Sequence, residues 1–285
     1  MNRIDTTFRN LAKEQKKALI GFISAGDPDY DTSLEILKTA CTSGLDIIEL
    51  GVPFSDPTCD GPVIQRASQR ALKSGASLTS TIRLAADLRK VTETPIVVFS
   101  YYNPIFKYGL ENLARDALKA GIDGLLVVDL PPEEAQPLSL ALEETNIHII
   151  RLAAPTTTSA RLAKLVDGAG GFLYLISRLG VTGTGGLDFE SIRSHAAQVR
   201  ASCPLPVCLG FGISTGADAR LLASCADGII VGSAFEKIIE ANLSHPGLPE
   251  LVAELVEEFR DSLDSINSEP VGEGGSSGGL DKPGQ

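Results

Sequence analysis

The chain has 285 residues, 43% apolar and 21% charged, with 25 Lys and Arg against 36 Asp and Glu for a formal net charge of −11. This is the composition of a soluble globular protein, and the acidic balance argues against nucleic acid or an anionic membrane as the main partner. No stretch reaches the roughly 20 apolar residues of a membrane span, no signal-peptide core opens the chain, and five dispersed cysteines without a CxxC pair point to reduced thiols in the cytoplasm.

Short runs rich in Val, Ile and Leu recur at 18–24, 46–50, 95–100, 124–129, 147–152, 171–177, 206–211 and 228–232. They show little alternation, as strands buried on both faces do. Stretches of helical period lie between them, such as Leu110, Leu113, Ala114 and Leu118. Asp31, Ser77, Thr158 and Thr215 are expected helix starts, and Gly44, Gly75, Gly121 and Gly168 expected stops. Eight strand–helix units predict an α/β fold, a single (β/α)8 TIM barrel, with a doubly wound open sheet as the competing arrangement. Extra helices are expected at 5–16 and 248–265. The barrel domain is then 1–266, and the Gly/Ser-rich segment 267–285 has nothing to bury and is expected to be disordered.

In such a barrel the chemistry sits at the C-terminal ends of the strands. Glu49 lies in the apolar run Asp46-Ile47-Ile48-Glu49-Leu50. If Asp46 opens that strand, Ile47 and Glu49 share the inward face. A carboxyl buried there has a raised pKa suited to proton transfer; the alternative is a structural hydrogen bond to a neighbouring strand. The next loop, 53–62, holds three prolines with Asp56 and Asp60. Either could instead be local, Asp60 as a cap of the helix near Pro62 and Asp56 as the turn residue before Pro57.

The glycine-rich stretch 177–186 reads as a lid. Gly210-x-Gly212 and Gly232-Ser233, at the last two strand ends, suit a phosphate held by backbone N–H groups. No Lys stands in Walker spacing, and none occupies a strand end for Schiff-base chemistry. His148, His195 and His245 are too scattered for a metal site, His148 being expected as a hydrogen-bonded core residue. Carboxylate acid–base chemistry on a small phosphorylated substrate remains, without metal or cofactor.

Several stretches resemble one family. They are Gly26-Asp27-Pro28, Glu49-Leu50-Gly51-Val52-Pro53-Phe54-Ser55-Asp56-Pro57 with Asp60-Gly61-Pro62, and Tyr102-Asn103-Pro104. Asp129-Leu130-Pro131, Tyr174-Leu175-Ile176-Ser177-Arg178, Gly210-Phe211-Gly212 and Gly232-Ser233-Ala234 follow in order. Together they cover about residues 5–265 and are similar to the α subunit of tryptophan synthase. The resemblance implies a retro-aldol lyase that splits indole-3-glycerol phosphate into indole and glyceraldehyde 3-phosphate. Glu49 would be the general acid/base and Asp60 the acceptor of the indole N–H. Tyr174 would lie beside Glu49, with Phe22, Phe99, Tyr101 and Phe211 as walls. Gly183, Gly212, Gly232 and Ser233 would bind phosphate, and Thr182 would ride on the lid.

The resemblance also implies an α2β2 complex in which a β subunit contains pyridoxal phosphate and receives the indole. Pro53, Asp56 and Pro57 of the 53–60 loop, Asn103 and Pro104, and Asp129 and Pro131 would form much of that contact. A stand-alone lyase releasing free indole and a non-catalytic phosphate-binding activator are the alternatives. The chain departs from the family pattern at Cys59, where alanine is usual, at Thr58, where an apolar residue is common, and at Gly21, where proline is frequent.

Overall fold

The computed structural model describes residues 1–176, 189–210 and 212–267. The expected lid with Thr182 and Gly183, Phe211, and the Gly/Ser-rich segment from 268 lie outside the described residues.

The chain opens with α1 (Arg3–Lys13), β1 (Ala18–Ser24), α2 (Tyr30–Thr42) and β2 (Ile47–Gly51), then α3 (Pro62–Lys73) and α4 (Leu78–Arg89). It continues with β3 (Ile96–Ser100), α5 (Tyr102–Tyr108), α6 (Leu110–Ala120), β4 (Gly124–Val127), α7 (Gln136–Leu142) and β5 (His148–Ala153). Then come α8 (Ser159–Val166), β6 (Leu173–Ile176), α9 (Phe189–Ser202), β7 (Val207–Gly210), α10 (Gly216–Ala223), β8 (Gly228–Val231), α11 (Ser233–Ala241) and α12 (Leu248–Asp264). The strands pair in parallel in sequence order, and β8 closes on β1. The expected barrel is therefore closed, and the open sheet is excluded.

Each strand is buried on both sides because it faces two cores. Outward residues such as Leu50, Val98 and Leu125 pack under the helices. Inward residues such as Ile20, Ile47, Val97, Leu126 and Ile150 fill the barrel. The amphipathic α1 closes the N-terminal end with Ile4, Phe8 and Leu11, the Phe8 ring lying 5.9 Å from Phe172. Register places Glu49 opposite Phe22 on one side and Val97 on the other, so all three point inward, as the Asp46 argument expected.

Local chemistry explains the helix ends. Ser77, Thr158 and Thr215 cap α4, α8 and α10 as expected, each accepting a backbone N–H. The expected cap Asp31 is displaced by Asp29, whose carboxylate takes the N–H of Thr32, leaving Asp31 in the first turn of α2. Asp60 does not cap α3, because Gly61 is the N-cap and makes no side-chain bond. Gly21 leaves room for Leu45 and Phe235: a Cβ there would stand 2.7 Å from a Leu45 methyl. His148 bonds Asp5 of α1 at 2.9 Å, at the closed end of the barrel.

Candidate active site

A cavity of about 490 Å³ opens at the C-terminal ends of the strands. Glu49, Asp60, Phe22, Phe99, Tyr174, Gly212, Gly232 and Ser233, all expected from sequence, line it together.

Glu49 is fully buried, and neither carboxyl oxygen has a hydrogen-bond partner among the described residues. Burial pushes its pKa up to about 8. A bond to a neighbouring strand, the structural alternative, is not found among the described residues. Buried polar atoms without partners are rare, and one facing a cavity is poised for a ligand. Gly210 makes room for the neighbouring Tyr174, since a Cβ there would overlap the phenol, and Gly51 does the same for the Phe22 ring. Phe22 and Phe99 meet edge to face at 5.4 Å and form one apolar wall.

Asp60 sits across the cavity on the loop after β2. Burial raises its pKa to about 6, opposed by a hydrogen bond from the Tyr101 side chain. Tyr101 is not among the lining residues. Its hydroxyl accepts the Cys59 N–H at 2.9 Å and its ring lies 5.0 Å from Phe54, so it supports the loop from behind. Ser68 holds the same loop to α3 through the N–H and carbonyl of Phe54, at 2.8 and 3.1 Å. Burial therefore gives the two carboxyls different acidities: near neutral pH Glu49 favours its protonated form and Asp60 its ionised form.

Asp56 is exposed, accepting the Ser55 hydroxyl at 2.6 Å, while Pro53 is buried and Pro57 half-buried. Asn103 and Pro104 lie in the first turn of α5. Asp129 accepts the N–H of Tyr102 at 2.7 Å, which ties the 129–131 turn to that helix. All these residues sit at the cavity end of the barrel.

Sequence reasoning missed the walls Val128, Leu152, Ile176 and Ile230, and also Lys237. The first four continue the inward face in steps of two beyond Leu126, Ile150, Tyr174 and the β8 start, so strand register was the available signal. Lys237 follows Ser233 by one helical turn, on the same face of α11.

A closed barrel with carboxyls of two acidities at its open end defines a class: a (β/α)8 enzyme equipped for proton transfer. The family model described as "Tryptophan synthase alpha chain" matches residues 8–264, and the chain belongs to that family. It is 51% identical over 260 residues to the tryptophan synthase alpha chain of Desulfosudis oleivorans, covering 91% of this chain and 98% of that one. The alpha chain of Desulfatibacillum aliphaticivorans is 49% identical with the same coverage. The crystal structure of tryptophan synthase subunit alpha from Legionella pneumophila superposes with a TM-score of 0.87 at 37% identity, over 93% of this chain and all of that one. The chain is accordingly a lyase that cleaves indole-3-glycerol phosphate in the biosynthesis of tryptophan.

Proposed function

We propose that Glu49 and Asp60 carry the cleavage between them. The neutral Glu49 carboxyl donates its proton to C3 of the indole ring, and Asp60 accepts the ring N–H and balances the positive charge. The Glu49 carboxylate so formed removes the proton of the hydroxyl next to the scissile bond. The C–C bond then breaks toward the protonated ring, giving an aldehyde and neutral indole, and Glu49 is again protonated. Protonation before cleavage avoids a carbanion, so the chain's own side chains suffice for this step. Phe22, Phe99 and Tyr174 enclose the ring, and the backbone around Gly212, Gly232 and Ser233 holds the phosphate. The observation that carries this reading is the buried, unpartnered Glu49 carboxyl facing the same cavity as Asp60.

The test is indole release by wild type, Glu49→Gln and Asp60→Asn. Each variant is expected to lose about 10²–10⁴-fold in kcat. Full activity in either would remove that residue from the mechanism.

The family membership brings a β subunit as partner. We infer an α2β2 complex in the cytoplasm, with pyridoxal phosphate in the β subunit and indole passed to it. Pro53, Asp56 and Pro57, with the Asn103-Pro104 and Asp129–131 turns, would form the docking face around the cavity mouth.

A further inference from the structure

Where the end of β1 meets α3 and α11 lies a buried charge cluster that the cleavage chemistry does not use. Glu236, in the first turn of α11, and Asp27, just after β1, are both fully buried. Pairing of β1 with β8 ends at Gly21 and Val231, and β8 gives way to α11 at Gly232. The N–H of Ser24 therefore lies past the last strand acceptor, and a Glu236 oxygen takes it at 2.6 Å. Arg70 of α3 grips Asp27 through two bonds of 2.9 and 2.7 Å and reaches Glu240 at 2.9 Å. Arg66 holds the same Glu240 at 2.6 and 2.7 Å. The α3 and α11 helices are thus clamped side by side. The residues at their starts, Gly61-Pro62 and Gly232-Ser233, line the two sides of the cavity.

We propose that Glu236 is a positioning residue for the phosphate end of the substrate. It ties the start of α11 to the end of β1 and, through Asp27 and Arg70, to the helix that follows Asp60. The glycine cradle and the Asp60 loop then keep a fixed spacing, which a reaction at one end of a substrate held by the other requires. This rests on the reading that Gly232 and Ser233 bind phosphate. Arg70 is committed to Asp27 and Glu240, and its nearest nitrogen stands 4.0 Å from the second Glu236 oxygen. The charged groups around Glu236 are Asp27 from the turn after β1, Arg70 and Arg66 from α3, and Glu240 on its own helix. From α12 the contact is apolar, Phe259 against Phe235. Burial and the Asp27 carboxylate raise the Glu236 pKa to about 8, so it works as a neutral acid. Ionised, it would add a negative charge at the start of α11, with Arg70 already bonded to Asp27 and Glu240.

The test compares Glu236→Gln with Glu236→Ala. Glutamine can accept the Ser24 N–H and is uncharged, as the protonated acid is. At pH 7 Glu236→Gln is expected within about twofold of wild type. Glu236→Ala is expected to raise the KM for indole-3-glycerol phosphate about tenfold and to lower kcat far less. Binding of glycerol 3-phosphate is then followed by calorimetry in a Glu49→Gln background, which silences the other carboxyl titrating in that range. Affinity is expected to fall as pH rises through 8 with Glu236 present and to stay level in Glu236→Gln. An unchanged KM in Glu236→Ala, a Glu236→Gln variant as impaired as Glu236→Ala at pH 7, or the same alkaline fall in Glu236→Gln would each overturn the proposal. If the parent protein binds neither glycerol 3-phosphate nor inorganic phosphate, the phosphate reading fails and the inference with it. If it binds and Glu236→Ala binds equally well, the inference alone fails.

Discussion

If Glu49 and Asp60 act as proposed, two carboxyls raised by burial to different extents set the pH behaviour of the reaction. Asp60 must be ionised to hold the indole N–H, so activity rises as pH passes about 6. Glu49 must hold a proton, so activity falls as pH passes about 8. The kcat at saturating substrate, where phosphate affinity no longer counts, is expected to peak near pH 7 with roughly tenfold loss per unit on each flank. A flat profile from pH 5 to 9 would contradict the assignment. Glu49 also costs stability. The native state keeps a proton that the unfolded chain releases above 4.5, so stability is lost as pH rises from there to about 8 and then levels off. Glu49→Gln is therefore expected to raise the unfolding free energy from urea titration at pH 8 by roughly a few kcal/mol, and the midpoint with it, the gain vanishing near pH 4. Equal midpoints throughout would show that Glu49 is not held neutral. Glu49 was legible because one acid stood in an apolar run that had to be a strand. Tyr101 was not: an aromatic at a strand end reads as a wall, and only the loop geometry shows it bonded to the Cys59 N–H instead.

At the scale of elements, strands and helix caps follow from local sequence because their causes are local. Departures come where a residue three or four positions away competes. Asp29 outdoes Asp31 because its carboxylate meets the N–H three residues on, which is where an N-cap must reach. The short α5 was not anticipated, since its first turn is satisfied from outside, by Asp129. Long-range side-chain hubs are illegible for the same reason. Asp123 is one such hub, nearly buried at the closed end of the barrel. It accepts from Arg3 of α1 at 3.1 Å, from Arg89 of α4 at 2.8 Å and from the N–H of Ile96 at 2.9 Å. Asp123→Ala is expected to cost about 3–5 kcal/mol, because it leaves the Arg89 guanidinium, which is largely shielded from water, without its counter-charge. Urea unfolding measures this loss. Indole release per folded molecule should hold, because the hub lies at the opposite end from the cavity. A loss below ~1 kcal/mol would show that the carbonyls of Gly121, Thr92 and Thr94, which Arg89 also reaches, suffice without the carboxylate.

The whole molecule is asymmetric: α1 plugs one end of the barrel, and the other carries the cavity and the candidate docking turns. On the proposed placement of the phosphate, an acidic chain can still take its substrate because backbone N–H groups at the start of α11 act over a few ångströms, whereas net charge is screened within about 10 Å. The same end carries the docking face proposed for the β subunit. Asp129 fixes the start of α5 on that face, holding the helix that presents Asn103 and Pro104. Asp129→Ala removes an N-terminal acceptor worth about 1 kcal/mol, roughly a fivefold population change in the ordered turn. Titration of the variant with β subunit is expected to need about fivefold more partner for half-maximal activation of indole release. Indole release by the unaccompanied chain, run in parallel, separates a weakened docking face from a damaged cavity. Superimposable activation curves would take the 129–131 turn out of the interface and leave the 53–60 loop to carry the coupling.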